Sequence, residues 1–107
     1  KKVLEGYDCG FCLDIGHAIC TANARKIEPY GFVVEFQKLS PICYHLSDND
    51  IFGGVDQHLH IGCGSYDIER IFSIINKTKY MAIETTKDFK NNLNDYVDDV
   101  RNIREYL

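Results

Sequence analysis

The sequence predicts an α/β domain of about three parallel βα units, and two observations carry that prediction. Short apolar runs alternate along the chain with longer stretches of helical period, the pattern of strands joined by helical crossovers. Each apolar run also stops at a residue able to bind a ligand: Asp14 (with His17 just beyond it), His45 and Glu84. Consecutive βα units bring strand ends to one side of a sheet. In parallel α/β proteins that is the side where ligands bind.

Taken in order, Lys1 to Tyr7 reads as the tail of a helix stopped near Gly6. The opening Lys1-Lys2-Val3-Leu4, with no targeting segment, reads as a start within a helix and hence as a piece of something larger. Cys9 to Leu13 is nearly continuous in its apolar character, which suits a parallel strand covered on both faces. Asp14 ends it, either as a helix cap or as one of a pair of rim ligands with His17. Ala18 to Pro29 is a helix or loop that turns at Glu28-Pro29. Phe32, Val33, Phe36 and Leu39 follow the helical period, so Gly31 to Leu39 is a helix ending before Pro41. Ile42 to Leu46 is the second strand and delivers His45. Ser65-Tyr66-Asp67 opens a helix with Ile68, Ile71, Phe72 and Ile75 along one side. Tyr80 to Ile83 is the third strand, ending at Glu84. In the last helix Phe89, Leu93, Tyr96, Val97, Val100, Ile103 and Leu107 trace one face, and Lys90, Asn94, Asp95, Asp98, Asp99, Arg101 and Glu105 form a face expected to be solvated.

Between the second strand and the fourth helix the chain places His45, Asp48, Asp50, Asp56, His58 and His60 close together among glycines. Acids and imidazoles at that density are costly to hold together, because buried carboxylates without a partner lose their charge. A divalent cation removes the cost, since carboxylate oxygen and imidazole nitrogen are its natural ligands. Asp56-Gln57-His58 is the sharpest part: in an extended loop residues i and i+2 point the same way.

With 107 residues the chain is at most one domain, and its net charge of −4 argues against a broad nucleic-acid-binding surface. Cys9, Cys12, Cys20, Cys43 and Cys63 are odd in number and follow no secretory signal, which points to reduced thiols and a cytoplasmic setting. Cys9-Gly-Phe-Cys12 has no second pair to complete a zinc knuckle, so its thiols are expected to be plain and buried. No apolar run approaches the length of a membrane span.

At these residues the chain resembles the TIM-barrel superfamily of sugar phosphate isomerases and epimerases, xylose isomerase-like proteins and the endonuclease IV family of apurinic-site nucleases. Leu13-Asp14-Ile15-Gly16-His17 resembles the family's LD-x-GH, and His45-Leu46-Ser47-Asp48-Asn49 follows at a family-like spacing. Asp56-Gln57-His58-Leu59-His60-Ile61-Gly62-Cys63-Gly64 resembles D-x-H-x-x-[IL]-G-x-G, and Ile83-Glu84-Thr85 closes the set. A (β/α)₈ barrel takes about 250 residues. The resemblance therefore implies that residues 1–107 are the C-terminal βα units of such a barrel, with earlier ligands, including a strand-end Glu, lying upstream. A three-stranded piece would need the missing barrel half, or copies of itself, to cover its apolar seam.

Three functions follow from the resemblance. The first is a metal-dependent isomerase or epimerase of a small sugar or sugar phosphate. Asp14, His45 and Glu84 would hold one divalent cation (Mn²⁺, Mg²⁺, Co²⁺ or Zn²⁺), His17 and His58 would bind substrate, and Glu84 would also be the candidate base for proton transfer through an enediolate. The second is a zinc-dependent phosphodiesterase acting at abasic DNA, with Asp14, His17, His45, Asp56, His58 and Glu84 all as ligands. The acidic balance weighs against this one. The third is an inactive truncated barrel. His60 stands where the isomerase branch often has Pro and leans towards the nuclease. Cys63 departs from the acidic or neutral residue usual at its position.

Overall fold

A computed structural model describes residues 1–107. The elements are α1 (Lys2–Gly6), β1 (Cys12–Asp14), α2 (Ile15–Ala24), α3 (Pro29–Gln37), β2 (Cys43–Leu46), α4 (Ile68–Ile74), β3 (Tyr80–Ile83) and α5 (Asn94–Arg104). The strands form one sheet in the order β1-β2-β3, and both pairings are parallel. The expected α/β architecture of three parallel βα units is therefore present. β3 has the expected bounds, and β2 starts one residue late.

Local chemistry explains most of the boundaries. Asp14 ends β1 and caps α2 at once: its Oδ1 accepts from the His17 N–H at 2.9 Å. The helix consequently begins directly after the strand at Ile15, earlier than the Ala18 expected from the sequence. Glu28 caps α3 through the Tyr30 N–H, and Pro29 takes the first helical position, where its missing N–H costs nothing. Asp67 caps α4 by accepting from the Arg70 N–H at 2.9 Å.

Alternation along the strands decides where the site lies. Leu13, Tyr44 and Leu46 are buried and belong to the core formed with α2, α3 and α4. Their neighbours Cys12, Asp14, Cys43 and His45 occupy the opposite face, which no helix covers. The strands are thus covered on one face only, not on both. Cys12 is exposed for that reason, and so is Cys9; only Cys20 among the five free thiols is buried. The expectation of buried thiols fails at the C-x-x-C pair because β1 starts at Cys12 and turns that side chain to the open face.

Tyr44 ties the sheet to α3 and to the turn after α4. Its ring is fully buried, its hydroxyl donates to Gln37 Oε1 at 2.6 Å, and it accepts from the Asn76 N–H at 3.0 Å. Tyr44→Phe keeps the packing and removes both bonds. It is expected to destabilise the chain by about 1 kcal/mol in chemical denaturation, and an unchanged midpoint would refute that.

α5 departs from expectation. Its helical part begins at Asn94, so Phe89 and Leu93 precede it, and Val97, Val100 and Leu107 are exposed. Ile103 is buried as expected, but the supposedly solvated Asp99 turns inward beside it. The rotation follows from Asp99, whose buried carboxylate meets three polar partners, His60, Thr85 and Lys87, that no apolar residue at this position could satisfy.

Candidate metal centre

The loop after β2 is built by two residues of the acid-rich run. Asp48 pairs its backbone with Leu59, N–H to carbonyl in both directions at 2.9 Å. Its buried carboxylate accepts from the N–H groups of Asn49 (2.9 Å), Gly62 (2.9 Å) and Tyr66 (3.1 Å). Asn49 Oδ1 accepts from the Gln57 N–H and from the His58 N–H at 3.2 Å. Asp50 accepts from the Phe52 N–H in a local turn. Asp48 and Asp50 are therefore spent on backbone, and Asp56 alone among the loop acids faces the site. Asp56 and His58 converge, though not through extended chain: His58 has a positive φ of 53°, and the bend aims its ring back at Asp56.

The predicted site residues collect into two adjacent clusters, Asp14/His45/Glu84 and His17/Asp56/His58, and in each one donor atom per residue lies within 4.8 Å of the others. His45 Nδ1 is 3.1 Å from Glu84 Oε2 and 3.7 Å from Asp14 Oδ2. Asp56 Oδ2 is 3.2 Å from His17 Nε2 and 3.1 Å from His58 Nε2. His17 joins the two clusters, because its Nδ1 stands 3.0 Å from Asp14 Oδ2. Asp14 thus serves as both cap and cluster member, one oxygen for each.

The second cluster is poorly satisfied by protein alone. Both Asp56 carboxylate oxygens are buried and have no hydrogen-bond partner, since the two imidazole nitrogens approach without hydrogen-bond geometry. His58 Nδ1 lies 2.9 Å from the backbone carbonyl of Glu84. That carbonyl can only accept, so Nδ1 carries a proton, and whenever the ring is neutral Nε2 offers a lone pair towards Asp56. Two acceptors at 3.1 Å repel unless a proton or a metal cation lies between them. Ligand atoms about 2.0–2.2 Å from a tetrahedral ion stand about 3.3 Å apart, close to the spacing seen. A backbone carbonyl behind a ligating imidazole is also the usual supporting contact of a metal site. The residues fit a divalent metal.

Cys20 and Tyr66, which lie near Asp56, bring it no positive charge. Burial, and then the charge of Asp56, push the Cys20 thiol up. Burial, with Asp56 among the lesser causes, does the same to the Tyr66 phenol. Both stay neutral. Below the first cluster, partial desolvation and then the Cys43 thiol push Cys12 up to about 12, although its side chain lies on the open face. Gly16, in the first turn of α2, admits Asp56: a Cβ there would stand 3.0 Å from both Asp56 Oδ1 and Ser47 Oγ. No motif marks Asp99, which is 1% exposed and lies with both oxygens 3.1 Å from His60 Nδ1.

The chain is 32% identical, over an alignment of 91 residues covering 73% of it, to proteins named "Probable endonuclease 4" from two strains of Chloroflexus aurantiacus. It spans about a third (32%) of the length of these curated relatives. No protein-family model matches it, and no solved structure does. The motifs at Asp14, His45, Asp56–Gly64 and Glu84, the parallel βα units and this match agree: the chain is related to the xylose isomerase-like TIM-barrel superfamily, in which endonuclease 4 is a branch.

Proposed function

We propose that the protein is a metal-dependent phosphodiesterase of the endonuclease 4 kind, cutting DNA at abasic sites. The observation that carries this reading is the His17/Asp56/His58 cluster beside Asp14/His45/Glu84. A sugar isomerase or epimerase, the function expected first, uses only the latter set for its single ion. It would leave a buried carboxylate unpartnered for no purpose. The similarity to the two endonuclease 4 proteins supports the same choice.

Asp14, His45 and Glu84 would hold one ion, and His17, Asp56 and His58 another. Nitrogen and carboxylate ligands in sets of three, two of them imidazoles in the second set, suit zinc. When bound, such ions polarise phosphate oxygens and supply an activated water at neutral pH. The chain's own part is to hold the donors in place. The Glu84 carbonyl fixes the His58 tautomer, the Asp14 cap fixes the entry of α2 and so His17, and Asn49 holds the His58 backbone. Two divalent cations would also offset the formal net charge of −4, which removes the main objection to a polyanionic substrate. The remaining ligands, and the cover for the open sheet face, would come from outside these residues as further barrel strands or a second copy of the chain.

The test offers the protein a duplex with a single abasic site and, separately, aldose and ketose sugars and their phosphates. Strand cleavage abolished by chelator, with Glu84→Gln lowering it by about 100-fold or more, is the expected result. Sugar interconversion without cleavage, with one metal per chain by mass spectrometry, would return the reading to the isomerase.

A further inference from the structure

Asp99 stands behind the metal centre and touches neither cluster. Its carboxylate is nonetheless a buried junction between the two segments that carry them. Both Asp99 oxygens lie 3.1 Å from His60 Nδ1, and His60 is two residues from His58. Asp99 Oδ2 also accepts from the hydroxyl of Thr85, the residue after Glu84. Lys87 Nζ stands 3.7 Å from the same oxygen, donates to Thr85 Oγ1 at 2.8 Å, and lies over the Tyr96 ring at 5.1 Å. The two segments also meet in front of Asp99, where the Thr86 N–H donates to the His58 carbonyl at 3.0 Å beside the His58–Glu84 contact.

We propose that Asp99 is the positioning residue of the metal centre: through His60 it sets His58 of one cluster, and through Thr85 it sets Glu84 of the other. The proposal rests on the reading of the two clusters as metal sites. A buried carboxylate is tolerated only while its partners stay in place, so Asp99 penalises any movement of His60 or Thr85. Each partner is at most two residues from a ligand. A shift of the loop or of the strand end is therefore resisted before it reaches the donors. Asp99 comes from α5, so the last helix contributes to the site without reaching it.

The test is zinc titration by calorimetry, with the cobalt absorption spectrum as a second readout, on the protein and its Asp99→Asn variant, well below their melting temperatures. Asp99→Asn keeps the shape and loses the charge. It is expected to weaken zinc binding about 10- to 100-fold, as loss of a ligand's supporting partner does, and to alter the cobalt bands. His60→Gln is expected to weaken mainly one binding event and Thr85→Val mainly the other. These two carry the test if Asp99→Asn fails to fold. A purely structural role would lower the melting temperature and leave affinity and spectrum unchanged in the folded variants, which overturns the positioning role alone. Failure of the unaltered protein to take up zinc or cobalt overturns the metal reading and the positioning role with it.

Discussion

Asp56→Asn will stabilise the metal-free chain and destabilise the zinc-loaded one. Without an ion, the Asp56 oxygens are buried with no hydrogen-bond partner, and a buried charge left in that state costs several kcal/mol. The amide carries no charge, and its NH₂ can donate to Nε2 of a His58 ring protonated only at Nδ1. A gain of about 1–2 kcal/mol is expected in chelator, or roughly 4–8 °C in melting temperature per kcal/mol for a chain of this size. With zinc present the sign reverses. An ion at 100 times its dissociation constant contributes about 2.7 kcal/mol to the folded state, and the variant forfeits this for the ion at His17/Asp56/His58. Two thermal melts of each protein, in chelator and in zinc, decide the matter. A shift of the same sign in both would mean that Asp56 is an ordinary loop carboxylate and that no cation belongs there.

The sequence was most legible where one residue does one job. Ile83 and Glu84 mark the end of β3 correctly because an apolar run stops there at a charge, and β2 ends at Leu46 with His45 on the open rim. Asp14 was harder, because the sequence offers a cap and a ligand as competing readings and the geometry uses one oxygen for each. The acids of the loop look alike in sequence. What separates Asp48 from Asp56 is that three backbone N–H groups converge on the first and none on the second. That convergence depends on the path of the chain after the strand, which residue types do not specify. The inward face of α5 escapes the sequence because periodicity weighs apolar residues and is blind to a buried polar one. Asp99 sits on the polar stripe by pattern, yet its partners His60, Thr85 and Lys87 are brought to it only by tertiary contact. The gap between the two motifs that supply His60 and Thr85 holds no trace of that meeting.

Gly64→Ala is expected to dismantle the loop. A Cβ at this position would stand 2.5 Å from the Asn49 carbonyl oxygen and 2.7 Å from the Asn49 nitrogen, and it would also collide with the Asp48 carboxylate. None of these atoms is the free end of a flexible side chain. The Asn49 carbonyl accepts from the Ser65 N–H at 2.9 Å, and the Asp48 carboxylate is gripped by three N–H groups. The methyl group can fit only if Asn49 moves, and Asn49 Oδ1 holds the His58 N–H. Overpacking of this kind costs about 1–3 kcal/mol and sometimes more, a large part of the roughly 5–15 kcal/mol that stabilises a small domain. The ion at His17/Asp56/His58 should be lost along with stability, because His58 moves with the backbone that Asn49 anchors. Gly54→Ala is the control: a Cβ there meets nothing within 4 Å, so the change should stay within about 0.5 kcal/mol. Denaturation midpoints and zinc per chain, measured on both variants, separate packing from composition. If Gly64→Ala matched Gly54→Ala in both, the loop would have slack that these contacts deny, and the rigid placement of His58 on which the second cluster depends would fall with it.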